Sequence, residues 1–381
     1  MRASTASEPP AQATAAKVPS SAGKLVGVTK VARTKADLAE ALGALNGTSA
    51  LVMTMGALHE GHLALVRAAK KAADNVVVSI FVNPLQFGPG EDYEAYPRDL
   101  EADLAFLEAV GVQAVYAPEA EDVYPREPLV RIDPGPMAAV LEGKTRPTHF
   151  AGVLQVVHKV LNLVRPDIAF FGQKDAQQLA LIRTMAADLD MPVEIRAVPI
   201  ERDVDGLALS SRNSYLSPTE RIEALALNQA LAVGADAAQR GLSPKEVRDV
   251  AERHLREAPG VKIDYLALVD PETFAAIDGE AFFAGGASGT SPSEGAAAIP
   301  ASGGKSFPAS GATMPAGDAG TMSAGDAGTM SAGDAETMSA GDAETVPATG
   351  AAPVHGRGLL AVAAWVGPTR LIDNMEVELR G

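Results

Sequence analysis

Short apolar runs separated by amphipathic stretches of helical length fill the first half of the chain, and they confine it to one architecture. "ALVMTM" (Ala50 to Met55) precedes an amphipathic run near His62 to Ala73, and "NVVVSIFV" (Asn75 to Val82) precedes another near Arg98 to Val110. After "QAVYAP" the alternation continues with a run near Phe150 to Val164, "DIAFF" (Asp167 to Phe171), a run near Asp175 to Asp188 and "VEIRAVPI" (Val193 to Ile200). Strands that are apolar throughout must be covered on both faces, and strands joined through helices lie parallel. The pattern predicts a doubly wound α/β domain over residues 25–213.

Beyond Asn213 the pattern changes. "LSPTERIEALALNQAL" opens with Ser217 as N-cap, Pro218 at the first helical position and Glu220 at capping-box spacing, and "SPKEV" opens a second helix in the same manner. "IDYLALVD" (Ile263 to Asp270) and "GLLAVAAWVG" (Gly358 to Gly367) predict two strands, followed by "TRLIDNMEVEL", so residues 214–381 form a smaller α+β lobe. Between those strands lies a small-residue segment, 284–357, with four copies of an octapeptide such as "SAGDAGTM" over 315–346. One Met or Val per repeat buries too little to offset the entropy of ordering it, so the segment is expected to be a disordered insertion in a hairpin. Residues 1–24, rich in Ala, Ser, Pro and Thr, are expected to be a disordered tail.

Composition excludes several classes. A net charge of -16 disfavours nucleic acid as a partner, so a polyanion would need a local cationic pocket. The absence of Cys removes disulfides, thiolate metal sites and a Cys nucleophile. The first residues lack a secretory apolar core and no apolar run is long enough to span a bilayer, so a cytoplasmic protein without membrane contact is expected.

Ligands of parallel sheets bind beyond the carboxyl ends of the strands, and four such ends carry Gly with polar or cationic groups: "MTMGALHEGH", "NPLQFG", "GQKDAQQ" and "DGLALSSRNSYL". His59 and His62 share one face at a helix start, where free backbone N–H groups and the helix dipole favour an anion such as a triphosphate. Two surface histidines near a turn, or a zinc site, are the competing readings of that pair. Lys174 can reach phosphate oxygens and Asp175 ribose hydroxyls; an ordinary N-cap beside an exposed Lys is the alternative. Ser210, Ser211 and Arg212 offer a clamp for outer phosphates. Asn83, Gln86 and Gln178 offer neutral hydrogen bonds suited to a small hydroxylated substrate, or to capping of loops. No P-loop, no G-x-G-x-x-G after the first strand and no G-x-S-x-G elbow is present.

Together, "TMGALHEGH", "FVNPLQFGPGEDYEAYPR", "RPTHFAGV", "FFGQKDAQQ", "LALSSRNSYL" and "VGPTRLIDN" resemble, in order, the signatures of the pantothenate synthetases, the pantoate and β-alanine ligases. The resemblance implies the H-x-G-H nucleotidyltransferase superfamily, a Rossmann-like ATP domain, a C-terminal lid and a homodimer. It implies that ATP and pantoate form a pantoyl adenylate and that β-alanine then releases AMP. His59, His62 and Lys174 would be catalytic, with Met55, Gly172, Asp175, Ser210, Ser211 and Arg212 also on ATP. Met55, Gln86, Gln178 and Asn83 would hold pantoate, and Asp103 matches a position associated with Mg2+. Arg146 and His149 would be substrate-side or structural. Met53 stands where the family usually has Pro. The rival is an H-x-G-H nucleotidylyltransferase with another acceptor.

Overall fold

The computed structural model describes residues 29–278 and 356–380, all within one compact unit. The expected tail and nearly all of the expected insertion, with its octapeptides, lie outside the described residues. The chain order is β1 (Lys30–Ala32), α1 (Lys35–Gly43), β2 (Ser49–Thr54), α2 (Glu60–Ala72), β3 (Asn75–Ile80), α3 (Leu100–Val110), β4 (Ala114–Tyr116) and α4 (Ala120–Val123). It continues with α5 (Glu142–Thr145), α6 (His149–Val164), β5 (Ile168–Gly172), α7 (Ala176–Asp188) and β6 (Glu194–Val198). These strands form a six-stranded sheet ordered β1-β4-β3-β2-β5-β6, parallel at every pairing.

The order reverses between β2 and β5: from β2 the chain builds through β3 and β4 to one side, then returns to add β5 and β6 on the other. A crevice opens where that reversal occurs, at the carboxyl ends of the two strands. "TMGALHEGH" leaves β2 and "GQKDAQQ" leaves β5, so both signatures meet there. The sheet has apolar layers on both faces, Leu51 and Val77 packing into one and Val52 and Val78 into the other, as uniformly apolar strands require. The sequence pattern missed β1 and α1, because β1 is only three residues long and exposes two of them.

The second sheet follows α8 (Pro218–Gln239) and α9 (Pro244–Glu257) and is antiparallel, ordered β7 (Val261–Val269), β8 (Gly356–Val366), β9 (Thr369–Leu379). Both helices start with the expected capping boxes, Ser217 with Glu220 and Ser243 with Glu246. The third strand, β9, is the "TRLIDNMEVEL" run, turned back onto β8 through Gly367, whose φ of +55° suits glycine.

A buried ion cluster ties this sheet to the parallel one. Arg370 donates through Nη1 to Glu142 Oε2 (2.8 Å) and through Nη2 to Glu142 Oε1 (2.6 Å), and its Nε donates to Asp264 (3.0 Å). The Tyr265 hydroxyl also donates to Glu142 (2.8 Å). Burial pushes the Glu142 carboxyl up, but Arg370 more than offsets this and holds it below its ordinary range. Removing the guanidinium strands an uncompensated charge in a site where the two partners' side chains are only 13% and 11% exposed. Arg370→Met is therefore expected to lower unfolding free energy by about 3–5 kcal/mol in urea titrations. A loss below about 1 kcal/mol, as for an exposed ion pair, would show that the cluster is not an inter-sheet tie.

Candidate active site

The crevice holds a cavity of about 250 Å3 lined by residues from all four glycine-marked strand ends, including Met55, His59, Gln86, Lys174 and Ser210. A second chamber of about 510 Å3 adjoins it and shares Arg146, His149, Lys174, Asp175, Gln178 and Arg212, while β9 lines its far side.

His59 is the N-cap of α2 and His62 its third residue, and the two rings cap the helix reciprocally. His59 Nδ1 accepts the Gly61 N–H (3.2 Å) and His62 Nδ1 accepts the His59 N–H (3.3 Å). A nitrogen that accepts from an amide is unprotonated, so each neutral ring carries its hydrogen on Nε2. Burial, with Lys174 nearby, pushes His59 down to about 4, and burial with His59 and Lys174 pushes His62 down to about 3. Both are neutral Nε2–H donors at pH 7. Gly61 permits this: a Cβ there would stand 3.0 Å from His59 Nδ1 and Cε1. One expectation changes: of the helix-start N–H groups expected to be free for an anion, the Gly61 amide already meets the His59 ring and the His62 amide meets His59 O. The donors offered to a phosphate are the imidazoles themselves.

The loop between β2 and α2 is shaped by Asp103. Gly56 (φ +87°) and Ala57 (φ +51°) turn the backbone so that the Ala57 and Leu58 N–H groups reach Asp103 Oδ2 (3.0 Å) and Oδ1 (2.7 Å). Asp103 is 2% exposed and does not line the cavity. Both of its oxygens therefore serve the loop that carries the histidines. Among the described residues no cluster of three His, Cys, Asp or Glu side chains could hold a metal.

Lys174 and Asp175 occupy a short 3-10 turn, Gln173–Asp175, between β5 and α7. Asp175 stands at the N-cap position of α7 but makes no side-chain capping bond, contrary to the capping alternative, and its carboxylate is exposed beside the cavity. Among the described residues Lys174 forms no ion pair. A Cβ on Gly172 would meet no protein atom within 4 Å, so that edge is open to a ligand. Arg212 is already engaged: Nε and Nη2 grip the Asp92 carboxylate at 3.0 and 2.9 Å. Ser211 donates to Ala57 O at 3.4 Å, which ties the "SSRN" turn to the histidine loop. Asn213 of the same turn holds Ala208 O through Nδ2, and its buried Oδ1 has no partner among the described residues, beside a small cavity shared with Lys174.

The three expected amides separate. Gln86 and Gln178 line the cavity, and Gln86 Nε2 lies 2.8 Å from Met55 Sδ. Asn83 does not line it: 1% exposed, it donates to Gly152 O and Gln86 Oε1 and accepts from Leu85 N and the Tyr124 hydroxyl. Its role here is to hold Gln86. His149, expected to be substrate-side or structural, has its Nδ1 3.0 Å from Gln86 O. A carbonyl only accepts, so this ring is protonated on Nδ1 and presents a bare Nε2, the opposite polarity to His59 and His62. Burial, with Arg146 second, pushes it down to about 4.

Known proteins match this arrangement. The family model for pantoate-beta-alanine ligase matches residues 28–289. The chain belongs to that family. Pantothenate synthetase from Acidothermus cellulolyticus is 53% identical over 247 residues, 65% of this chain and 81% of that protein. Its counterpart from Thermobifida fusca is 52% identical over 259 residues, 65% and 87% of the two chains. Among solved structures, pantothenate synthetase from Thermus thermophilus superposes with a TM-score of 0.69 at 37% identity, covering 92% of this chain and 100% of the other. Pantoate-beta-alanine ligase from Francisella tularensis, complexed with beta-gamma ATP and beta-alanine, gives 0.60 at 26% identity, covering 91% and 97%. These matches make the chain a ligase and do not favour a nucleotidylyltransferase with a different acceptor.

The depressed histidines make a stability prediction. With folded values of about 4, 3 and 4 against an ordinary 6.5, the unfolded chain binds protons that the native state refuses. Their contribution is complete above pH 6.5 and is lost as pH falls towards 4 and 3. His62→Asn, which keeps an acceptor and cannot titrate, should give a flatter fall in urea-midpoint stability between about pH 7 and 5 than the unsubstituted chain. An equal slope in both would show that His62 titrates normally in the native state.

Proposed function

We propose that the cavity joins pantoate to β-alanine in two steps on the same residues. ATP and pantoate bind first, and a pantoate carboxylate oxygen bonds to the α-phosphorus while pyrophosphate leaves. The β-alanine ammonium loses one proton to water, the freed amine bonds to the acyl carbon, the bond from that carbon to the phosphate oxygen breaks, and AMP and pantothenate are released as the nitrogen's second proton passes through the departing phosphate to water. Neither step needs a covalent protein nucleophile; both need charge stabilisation and alignment.

His59 and His62 donate Nε2–H to phosphate oxygens, and the approach of that polyanion raises the affinity of both rings for a proton. Lys174 neutralises charge on the triphosphate. Ser210, Ser211 and Arg212 hold its outer part, Arg212 exchanging Asp92 for phosphate. Gly172 and Asp175 receive the ribose. Gln86 and Gln178, with Met55, hold pantoate, and Asn83 supports Gln86 from behind. Met53 lines the same cavity, where it contributes a flexible apolar wall. His149, with its bare Nε2 at the junction of the two chambers, accepts a hydrogen bond from the incoming β-alanine ammonium. Mg2+ would supply charge neutralisation on the triphosphate, and Asp103, whose two oxygens hold the histidine loop, would not be among its ligands. Residues 214–381 act as a lid, the enzyme works as a homodimer, and its substrates place it in the cytoplasm.

One observation carries this assignment: two neutral imidazole donors and an ammonium with no ion pair among the described residues face the same cavity as two neutral amides, a polyanion site beside a site for a small hydroxylated acid. Steady AMP release from MgATP should therefore require both pantoate and β-alanine. Lys174→Met should lower that rate by about 10^2- to 10^3-fold, as for loss of a transition-state charge contact, and change unfolding stability by no more than about 0.5 kcal/mol. A variant that released AMP at the unsubstituted rate would remove Lys174 from the mechanism.

A further inference from the structure

Strand β9 contributes more than a wall to the second chamber. Asn374 Nδ2 donates to two backbone carbonyls of the catalytic turn, Gln173 O at 3.0 Å and Lys174 O at 2.8 Å. A single amide nitrogen carries two hydrogens, so one residue satisfies both. The backbone N–H of Asn374 is in turn held by Asp373 Oδ1 (2.8 Å). Asp373 grips Arg202 through both oxygens, at 2.7 and 2.9 Å, and Arg202 Nη1 also donates to Gly206 O (3.2 Å). Arg202 pairs with Ala208 in an antiparallel bridge just before Ser210. Adjacent positions on a strand face opposite ways, so the dipeptide reaches a different loop with each side chain. Asn374 and Asp373 are 7% and 4% exposed.

We propose that Asn374 is a positioning residue for Lys174: its amide fixes the turn that carries the lysine, and Asp373 fixes the hairpin that leads to Ser210–Arg212. The proposal rests on the assignment of Lys174 to the phosphates. The carbonyls held are those of Lys174 and its neighbour, so the Cα of Lys174 cannot shift without breaking two hydrogen bonds. The lysine side chain has no ion pair among the described residues, so only its backbone sets where the ammonium can reach. An apolar side chain of similar size at 374 would leave both carbonyls unmet and free the turn to relax.

The test is a double-mutant cycle on pantoate-dependent exchange of pyrophosphate into ATP, which reads adenylation alone, in the full chain. Asn374→Leu should lower kcat of exchange about ten- to hundredfold, the cost of misplacing a catalytic group by a fraction of an ångström to an ångström. In a Lys174→Met background the same substitution should cost less than about twofold, because residues that act as a unit are not additive. Asn374→Ser, which keeps one donor, should give an intermediate rate, and it carries the cycle if circular dichroism shows that the Leu variant does not fold. A fall of equal size in both backgrounds would overturn the proposal while leaving the role of Lys174 intact, because a general structural role moves both. An unchanged rate for Lys174→Met alone would sink the assignment of Lys174 and the proposal with it.

Discussion

The polarity of the active site depends on the reciprocal cap at the start of α2. Each of the two histidines accepts a backbone N–H of the first turn, and that single fact assigns both tautomers. Capping a helix normally falls to Ser, Thr or Asp, whose side chains are then spent. An imidazole has a second nitrogen on the far side of the ring, so it can cap and still present a donor. Gly61 is the condition for this, since the His59 ring lies against it. Asp103 is the condition one layer further out, because it holds the Ala57 and Leu58 amides and so the path by which the chain enters the helix.

The electrostatics of the remaining site follow a division of labour. The two guanidiniums at the rim are each held by an acidic neighbour on one loop, Arg146 by Glu91 and Arg212 by Asp92. Lys174 alone of these three cations lacks such a partner among the described residues. Burial does most to keep both histidines neutral, and the Lys174 charge adds to it. In the proposed mechanism a triphosphate would satisfy Lys174 and favour imidazolium.

Most of the parallel sheet was legible in the sequence because strands buried on both faces leave long apolar runs such as "NVVVSIFV". β1 was not, since two of its three residues are exposed. His59, His62, Lys174 and Gln86 were legible as polar groups at strand ends, where buried structure needs none. The uses of Asn83 and Asp103 were not, because an inward amide that supports a neighbour and one that meets a ligand look alike in sequence. Likewise, "TRLIDN" stood out as a family signature without a visible task. Its charged and amide residues interrupt an apolar strand, and that interruption was the available signal: Arg370 reaches α5, while Asp373 and Asn374 reach the turns after β6 and β5.

Protonation of the two ring nitrogens is the most direct test of this picture. Long-range 15N–1H correlation spectra of the 15N-histidine-labelled protein at pH 7, without nucleotide, report which nitrogen of His59 and His62 bears the hydrogen. Two neutral Nε2–H tautomers, persisting down to about pH 5, are predicted from folded values of about 4 and 3. An Nδ1–H tautomer in either ring, or an imidazolium at neutral pH, would contradict the reciprocal cap and the donor role built on it.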